Sequence, residues 1–238
     1  MADRAVFFDL GGTLFAYGQL RGHFDELLKR LLASHGVRAS EDAMRRAYRE
    51  AMARQFAAFS DRPYYLHRDL FEAAHRDFLE QFGAAPAAGD GVGHLYVGQV
   101  ELGLDAVVPR PRAAETLAAL RERGLHLGIV SNIDDDQFHP LWQKMGLGGF
   151  VDATTTSEEA RSCKPDRRIF ELALGKARGV RPEDSFFVGD SPFHDVAGAR
   201  AMGMTTVLIT DRSAEPEGGP RADHVIRELP ELLAVVDG

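Results

Sequence analysis

The sequence predicts an α/β fold: a doubly wound, mostly parallel Rossmann-like sheet with an inserted helical domain. Two patterns carry this expectation. Short apolar runs rich in β-branched and aromatic residues alternate with amphipathic segments through most of the chain, and such alternation builds parallel sheets with helices on both faces. Between the first run and the second lies Tyr17 to Leu104, where apolar residues recur only at helical spacing. We therefore divide the chain into a core, residues 1–15 plus 106–238, and an insert, residues 16–105.

The elements follow in order. Ala5-Val6-Phe7-Phe8 reads as a buried strand that ends at Asp9 and is broken by Gly11-Gly12. In the insert, Phe24, Leu27, Leu28, Leu31 and Leu32 mark one helix. Met44, Ala47, Tyr48, Ala51, Met52 and Phe56 mark a second, and Leu70, Phe71, Ala74, Phe78, Leu79 and Phe82 a third. A fourth, weaker helix is expected over Val92–Leu102. Ser40 before Glu41-Asp42 suits an N-cap, and Gly36 and Gly83 suit helix stops. The insert leaves through Phe15–Gly18 and returns through Val107–Pro111, a two-segment hinge whose prolines disfavour helix before Arg112. Further strands are expected at Leu125–Val130, Phe150–Thr155, Ser185–Val188, Met204–Ile209 and Asp223–Ile226. Helices are expected at Arg112–Arg123, Gln137–Met145, Asp166–Arg178, Pro192–Met202 and Glu228–Val236.

Composition narrows the function. With 45% hydrophobic residues the 238-residue chain can bury a sizeable core. Twenty-eight Lys+Arg against 36 Asp+Glu give a formal charge of −8, which repels nucleic-acid backbones and anionic lipid. No apolar run approaches the roughly 18 residues of a membrane span, and the N-terminal apolar stretch is too short for a signal peptide. The single cysteine, Cys163, forms no internal disulfide. These observations point to a cytoplasmic protein without nucleic-acid or membrane partners, and leave the oligomeric state unread.

Candidate chemistry sits at strand ends. In open α/β sheets ligands bind beyond the carboxyl ends of the strands, which is where Asp9, Ser131-Asn132 and Gly189-Asp190 fall. Lys164-Pro165 opens a helix after another strand, and Asp195 follows Asp190 at the start of a helix. Taken singly, each has a bland reading: a turn residue, a solvated ammonium, a carboxylate favouring a helix N-terminus. Carboxylates converging on one sheet edge repel, and a divalent cation is the natural remedy.

In combination, Asp9 with Gly11-Gly12-Thr13, strand-end Ser131, Lys164-Pro165, and Gly189-Asp190 with Asp195 resemble the four sequence motifs of the haloacid dehalogenase superfamily of phosphohydrolases. The resemblance covers nearly the whole core and implies that the insert is a helical cap. It further implies that Asp9 is a nucleophile forming an aspartyl-phosphate, and that Ser131 and Lys164 bind phosphoryl oxygens. Gly11, Gly12 and Thr13 would line the substrate turn, and Asn132 would donate near the phosphoryl group. Mg²⁺ would be held by Asp9, the Gly11 carbonyl, Asp190 and Asp195. The implied partner is a small phosphorylated metabolite.

One position departs from the family pattern. Most phosphatases of this superfamily carry a second Asp two residues after the nucleophile, acting as general acid and base, and here that residue is Gly11. General acid–base assistance contributes about 10²–10⁴-fold, so substrates with poor leaving groups should suffer most. Three readings follow. The protein is a phosphatase, slower or with a substitute acid such as Asp134, for which Asp135, Asp136, His23 and Asp25 are the other candidates. It catalyses another family reaction: phosphonate cleavage, with Lys29 as the only lysine in the insert to form an imine, or dehalogenation, which needs no metal. Or it is a binding or regulatory module holding a phosphate ligand. Cys163, His194, Tyr64-Tyr65 and Phe56–Phe59 have structural readings at least as good as functional ones.

Overall fold

The computed structural model describes residues 2–84, 101, 103–211 and 219–238. The helix expected over Val92–Leu102 lies almost wholly outside the described residues. The strands are β1 (Ala5–Phe8), β2 (His126–Ser131), β3 (Ala153–Thr156), β4 (Ser185–Gly189), β5 (Thr205–Ile209) and β6 (His224–Ile226). The α-helices of five or more residues bounded within the described residues are α1 (Arg21–Ser34), α2 (Glu41–Phe59), α3 (His67–Glu80), α4 (Ala113–Glu122), α5 (Asp135–Met145), α6 (Arg167–Lys176), α7 (Ala197–Ala201) and α8 (Leu232–Asp237). The chain divides into two compact units, Met1–Tyr17 with Val108–Gly238, and Gly18–Val107.

In the first unit the six strands form one parallel sheet in the order β3-β2-β1-β4-β5-β6. β1 and β4 are buried at every residue, which is why they read as unbroken apolar runs rather than as an alternation. The path steps outward from β1 through β2 to β3, then crosses to the other side of β1 and runs outward again through β4, β5 and β6. The reversal falls between β1 and β4, where Phe8 lies opposite Val188 and the Asp9 N–H donates to the Val188 carbonyl at 2.9 Å. A topological switch of this kind opens a crevice at the carboxyl ends of its two strands. One face of the sheet packs Phe7 and Phe187 against Ile169 and Phe170 of α6, with the Phe170 and Phe187 rings 5.2 Å apart.

Two expected elements shift. Gly148–Phe150 closes a 3₁₀ turn, so β3 begins at Ala153 rather than Phe150. The segment expected as one helix from Pro192 opens as a wide π turn over Pro192–Val196 before α7 begins. The cause is Asp195, whose carboxylate bends back to accept the Ser191 N–H at 2.9 Å.

The second unit has its own core, built from Leu28, Leu31, Leu32, Met44, Ala47, Ala51, Phe78 and Leu79 on facing stripes of α1, α2 and α3. Ser40 caps α2, its hydroxyl accepting the Ala43 N–H at 3.3 Å. Within this core His75 is fully buried, lies 5.8 Å from the stacked Tyr48 ring, and finds a partner for neither ring nitrogen among the described residues. Burial pushes its pKa down from 6.5 to about 4. An unfolded chain therefore takes up a proton that the folded one refuses, so this contribution is intact above about pH 6.5, erodes as pH falls, and is lost by about pH 4. The shift corresponds to roughly 3 kcal/mol. Replacing His75 by Phe should flatten that acid limb, as checked by thermal melts of both proteins between pH 4 and 7; parallel pH profiles would clear His75 of the effect.

Candidate active site

The sheet brings the strand-end residues together. Asp9, just past β1, is 6% exposed and surrounded by donors. Its Oδ1 accepts from Lys164 Nζ at 2.7 Å and from Ser131 Oγ at 3.3 Å, and its Oδ2 accepts from Thr13 Oγ1 at 3.2 Å. Ser131 is the last residue of β2. Lys164 arrives from the loop before α6 and is held by its main chain: its N–H donates to Asn132 Oδ1 at 2.6 Å, and its carbonyl accepts from Asn132 Nδ2 at 3.0 Å. The Asn132 amide thus clamps the Lys164 main chain with its oxygen and one of its two N–H groups.

On the other side of the switch, Asp190 follows β4 and packs against Gly12. A Cβ at residue 12 would lie 2.1 Å from Asp190 Oδ2, and the backbone there has φ +82°, so both space and conformation require glycine. Asp195 is buried, its Oδ1 accepting a second Lys164 Nζ bond at 2.6 Å and its Oδ2 the Ser191 N–H. Asp9, Asp190 and Asp195 each present a ligand oxygen within 4.8 Å of the others.

The charges do not balance. Among the described residues, three carboxylates share one ammonium, a formal excess of two negative charges in a largely buried site. Burial, then repulsion from Asp9 and Asp195, pushes Asp190 up from 3.8 to about 7. Burial also raises Asp9, with Lys164 opposing and Asp195 reinforcing. For Lys164 burial acts downward, but Asp195 and Asp9 outweigh it and hold the ammonium above its ordinary range. An all-oxygen donor set with two uncompensated charges fits a hard divalent cation. Both oxygens of Asp9 and both of Asp195 already accept protein hydrogen bonds, so a cation held there would share those two carboxylates with Lys164 and its neighbours.

Other candidates have structural employment. Asp134 stands at the N-cap position of α5, where its carbonyl accepts the Gln137 and Phe138 N–H groups, and it is not among the three clustered carboxylates. Asp135 accepts from Thr156 Oγ1 at 2.6 Å, while Asp136 is exposed in the first turn of α5. In the second unit Asp25 holds Arg45 through both carboxylate oxygens, Lys29 pairs with Glu41 at 2.7 Å, and His23 is exposed. Cys163 is buried, and His194 is exposed with its Nδ1 3.2 Å from Ser191 Oγ.

Two residues escape a sequence reading. Arg110 donates to the Gly12 carbonyl at 2.7 Å and to Asp211 Oδ1 at 2.8 Å, while its own N–H donates to the Leu14 carbonyl at 2.7 Å, so it pins the turn after Asp9. Tyr17 lies over Gly11: a Cβ at residue 11 would sit 2.3 Å from its hydroxyl. Neither position carries a motif; both contacts depend on how the turn folds back.

A carboxylate met by a hydroxyl and an ammonium across the switch of a parallel sheet is a constellation that can be compared with known proteins. The sequence matches the haloacid dehalogenase-like hydrolase family over residues 4–203. The chain belongs to that family. It is 35% identical over 130 residues to a glyceraldehyde 3-phosphate phosphatase of Methanothermobacter thermautotrophicus, covering 54% of this chain and 55% of that protein. It is 33% identical over 162 residues to a ribulose-1,5-bisphosphate 5-phosphatase of Halopiger xanaduensis, covering 65% of this chain and 64% of the relative. The chain therefore matches between about half and two thirds of the length of these relatives. YfnB of Bacillus subtilis, solved bound to magnesium, shares the fold over the full length of both chains with a TM-score of 0.81 at 18% identity. Among the described residues no helix is long and apolar enough to cross a membrane.

The raised Asp190 gives a sign for pH. Without a cation the folded protein retains a proton that the unfolded chain releases, so this carboxylate's contribution is full below about pH 4 and is lost as pH rises through about 7. A cation binds the deprotonated form, so its stabilisation grows over the same interval. Mg²⁺ should raise the melting temperature more at pH 8 than at pH 5, and Asp190→Asn should abolish the increment; an increment independent of pH would contradict this assignment.

Proposed function

We propose that the protein is a Mg²⁺-dependent phosphatase acting on a small phosphomonoester through an aspartyl-phosphate at Asp9. The observation that carries this reading is the convergence of Ser131, Lys164 and Thr13 on one carboxylate beside a site short of two positive charges. Phosphoryl transfer asks for positioning and electrostatic stabilisation of charge spread over equatorial oxygens, and these donors are fixed before any substrate arrives. Ser131 and Lys164 bind phosphoryl oxygens, and Lys164 also offsets the charge of Asp9. Asp9 attacks phosphorus as the bond to the leaving oxygen breaks; the leaving oxygen keeps that electron pair and takes a proton from solvent. Water then adds to phosphorus, releasing inorganic phosphate with the water's protons and restoring Asp9. Mg²⁺, when bound, neutralises the carboxylate excess and polarises the phosphoryl group. Asp9, the Gly11 carbonyl and Asp190 would hold it, with Asp195 direct or through water.

The named activities of the relatives, on glyceraldehyde 3-phosphate and ribulose 1,5-bisphosphate, support a small phosphorylated metabolite as substrate class. We read the insert as the cap that selects it and the cytoplasm as the place of action. Phosphonate cleavage is disfavoured because Lys29 is exposed and paired with Glu41. Dehalogenation is disfavoured because an unused metal seat would leave Asp190, beside the Asp9–Lys164–Asp195 pairing, without a compensating charge. With glycine at residue 11, an activated aryl phosphate should turn over with Mg²⁺ while an alkyl phosphate does not, and Asp9→Asn should reduce the aryl activity at least ~10³-fold. Steady-state assays of both esters check this. Equal rates on both would defeat the missing-acid argument, and tight Mg²⁺-dependent phosphate binding without turnover would mark a binding module instead.

A further inference from the structure

At residue 11 a side chain would meet Tyr17, a neighbour that no motif predicts. After Asp9 the turn tightens through Leu14 N–H and Phe15 N–H, both donating to the Leu10 carbonyl, and residues 11 and 15 pair as an isolated bridge. This fold-back returns the chain over its own nucleophile turn. Phe15 is buried and its ring meets Tyr17 edge-on at 5.6 Å, which fixes the direction of the phenol. The hydroxyl then occupies the place of a side chain at residue 11: an added Cβ would meet it at 2.3 Å and the ring carbon bearing it at 2.9 Å.

Resting on the phosphatase reading, we propose that the Tyr17 hydroxyl is the neutral hydrogen-bond donor to the leaving-group oxygen, standing in the volume that a side chain at residue 11 would fill. The chemistry suits the position. Asp9, Asp190 and Asp195 crowd the site with acceptors, and the ammonium of Lys164 is engaged by two of them. A leaving oxygen that gathers charge needs a donor of its own, and another carboxylate would add to the charge excess. The phenol adds a donor and no charge. A phenol keeps its proton through the neutral range, so the hydroxyl assists by hydrogen bonding, without transferring its proton; the leaving oxygen is protonated by solvent, as above.

The proposal separates from the reading on which it rests. Wild type, Asp9→Asn and Tyr17→Phe are assayed with Mg²⁺ on aryl phosphates whose phenols rise in pKa from 4-nitrophenol to 4-methoxyphenol. Activity that Asp9→Asn abolishes upholds the phosphatase reading. Tyr17→Phe should then lower kcat/KM by roughly 10–100-fold for the poorest leaving group, the range of one hydrogen bond to a charged partner, and by less than about threefold for 4-nitrophenyl phosphate. The same loss on every ester would place the hydroxyl on the non-leaving oxygens and overturn the assignment. The steric half is tested without turnover. Gly11→Ala should lower the melting temperature in the wild-type background and have little effect in Tyr17→Ala; equal losses in both backgrounds would show that the hydroxyl does not occupy that volume. Restoring an acid follows the same rule: Gly11→Asp should gain activity on poor leaving groups only when Tyr17→Ala makes room, and a gain with Tyr17 intact would also overturn the proposal.

Discussion

An ammonium group shared between two buried carboxylates governs this site. Lys164 reaches Asp9 on one side of the strand reversal and Asp195 on the other, at 2.7 and 2.6 Å. Removing either partner would leave charge in a place where water cannot compensate it. The rest of the architecture supports that meeting. The β1–β4 reversal puts Asp9 and Asp190 on adjacent strands. The π turn swings Asp195 inward, and Asn132 holds the Lys164 main chain from both sides. What one lysine cannot supply is neutrality for the third carboxylate, so the same geometry that fixes Asp9 creates the demand for a cation.

Much of this was legible in the chain. Fully buried parallel strands have no polar face, so Ala5–Phe8 and Ser185–Val188 announce themselves as apolar runs, and the residues that end them fall in the crevice that such sheets open. Asp9, Ser131, Lys164, Asp190 and Asp195 were readable because each stands beside an element boundary with its own local signal: a glycine pair, a strand end, a proline, a helix start.

The contacts that stayed hidden are those in which one loop folds onto another. Arg110 and Tyr17 lie in the two segments flanking the insert, and sequence offers only a hinge there. Their roles follow from the Leu10 carbonyl accepting two N–H groups and from the Arg110 N–H bonding to Leu14, tertiary facts with no periodicity. Asn132 has a second employment for a related reason. A strand-end amide looks wholly free to meet a ligand, yet its oxygen and one N–H also hold a backbone far along the chain. The π turn at Pro192 shows the same limit, since a helical pattern cannot say how wide the first turn is when a carboxylate must cap it.

The contact between Gly11 and Tyr17 also constrains descent. A lineage with the phenol in place cannot take a side chain at residue 11 without two groups contesting one volume, and a lineage with that side chain cannot settle the ring until the site is emptied. Each arrangement is a local optimum separated from the other by a poorly packed intermediate. Glycine at residue 11 is thus tied to what stands at residue 17, and the two positions are to be compared together in any relative.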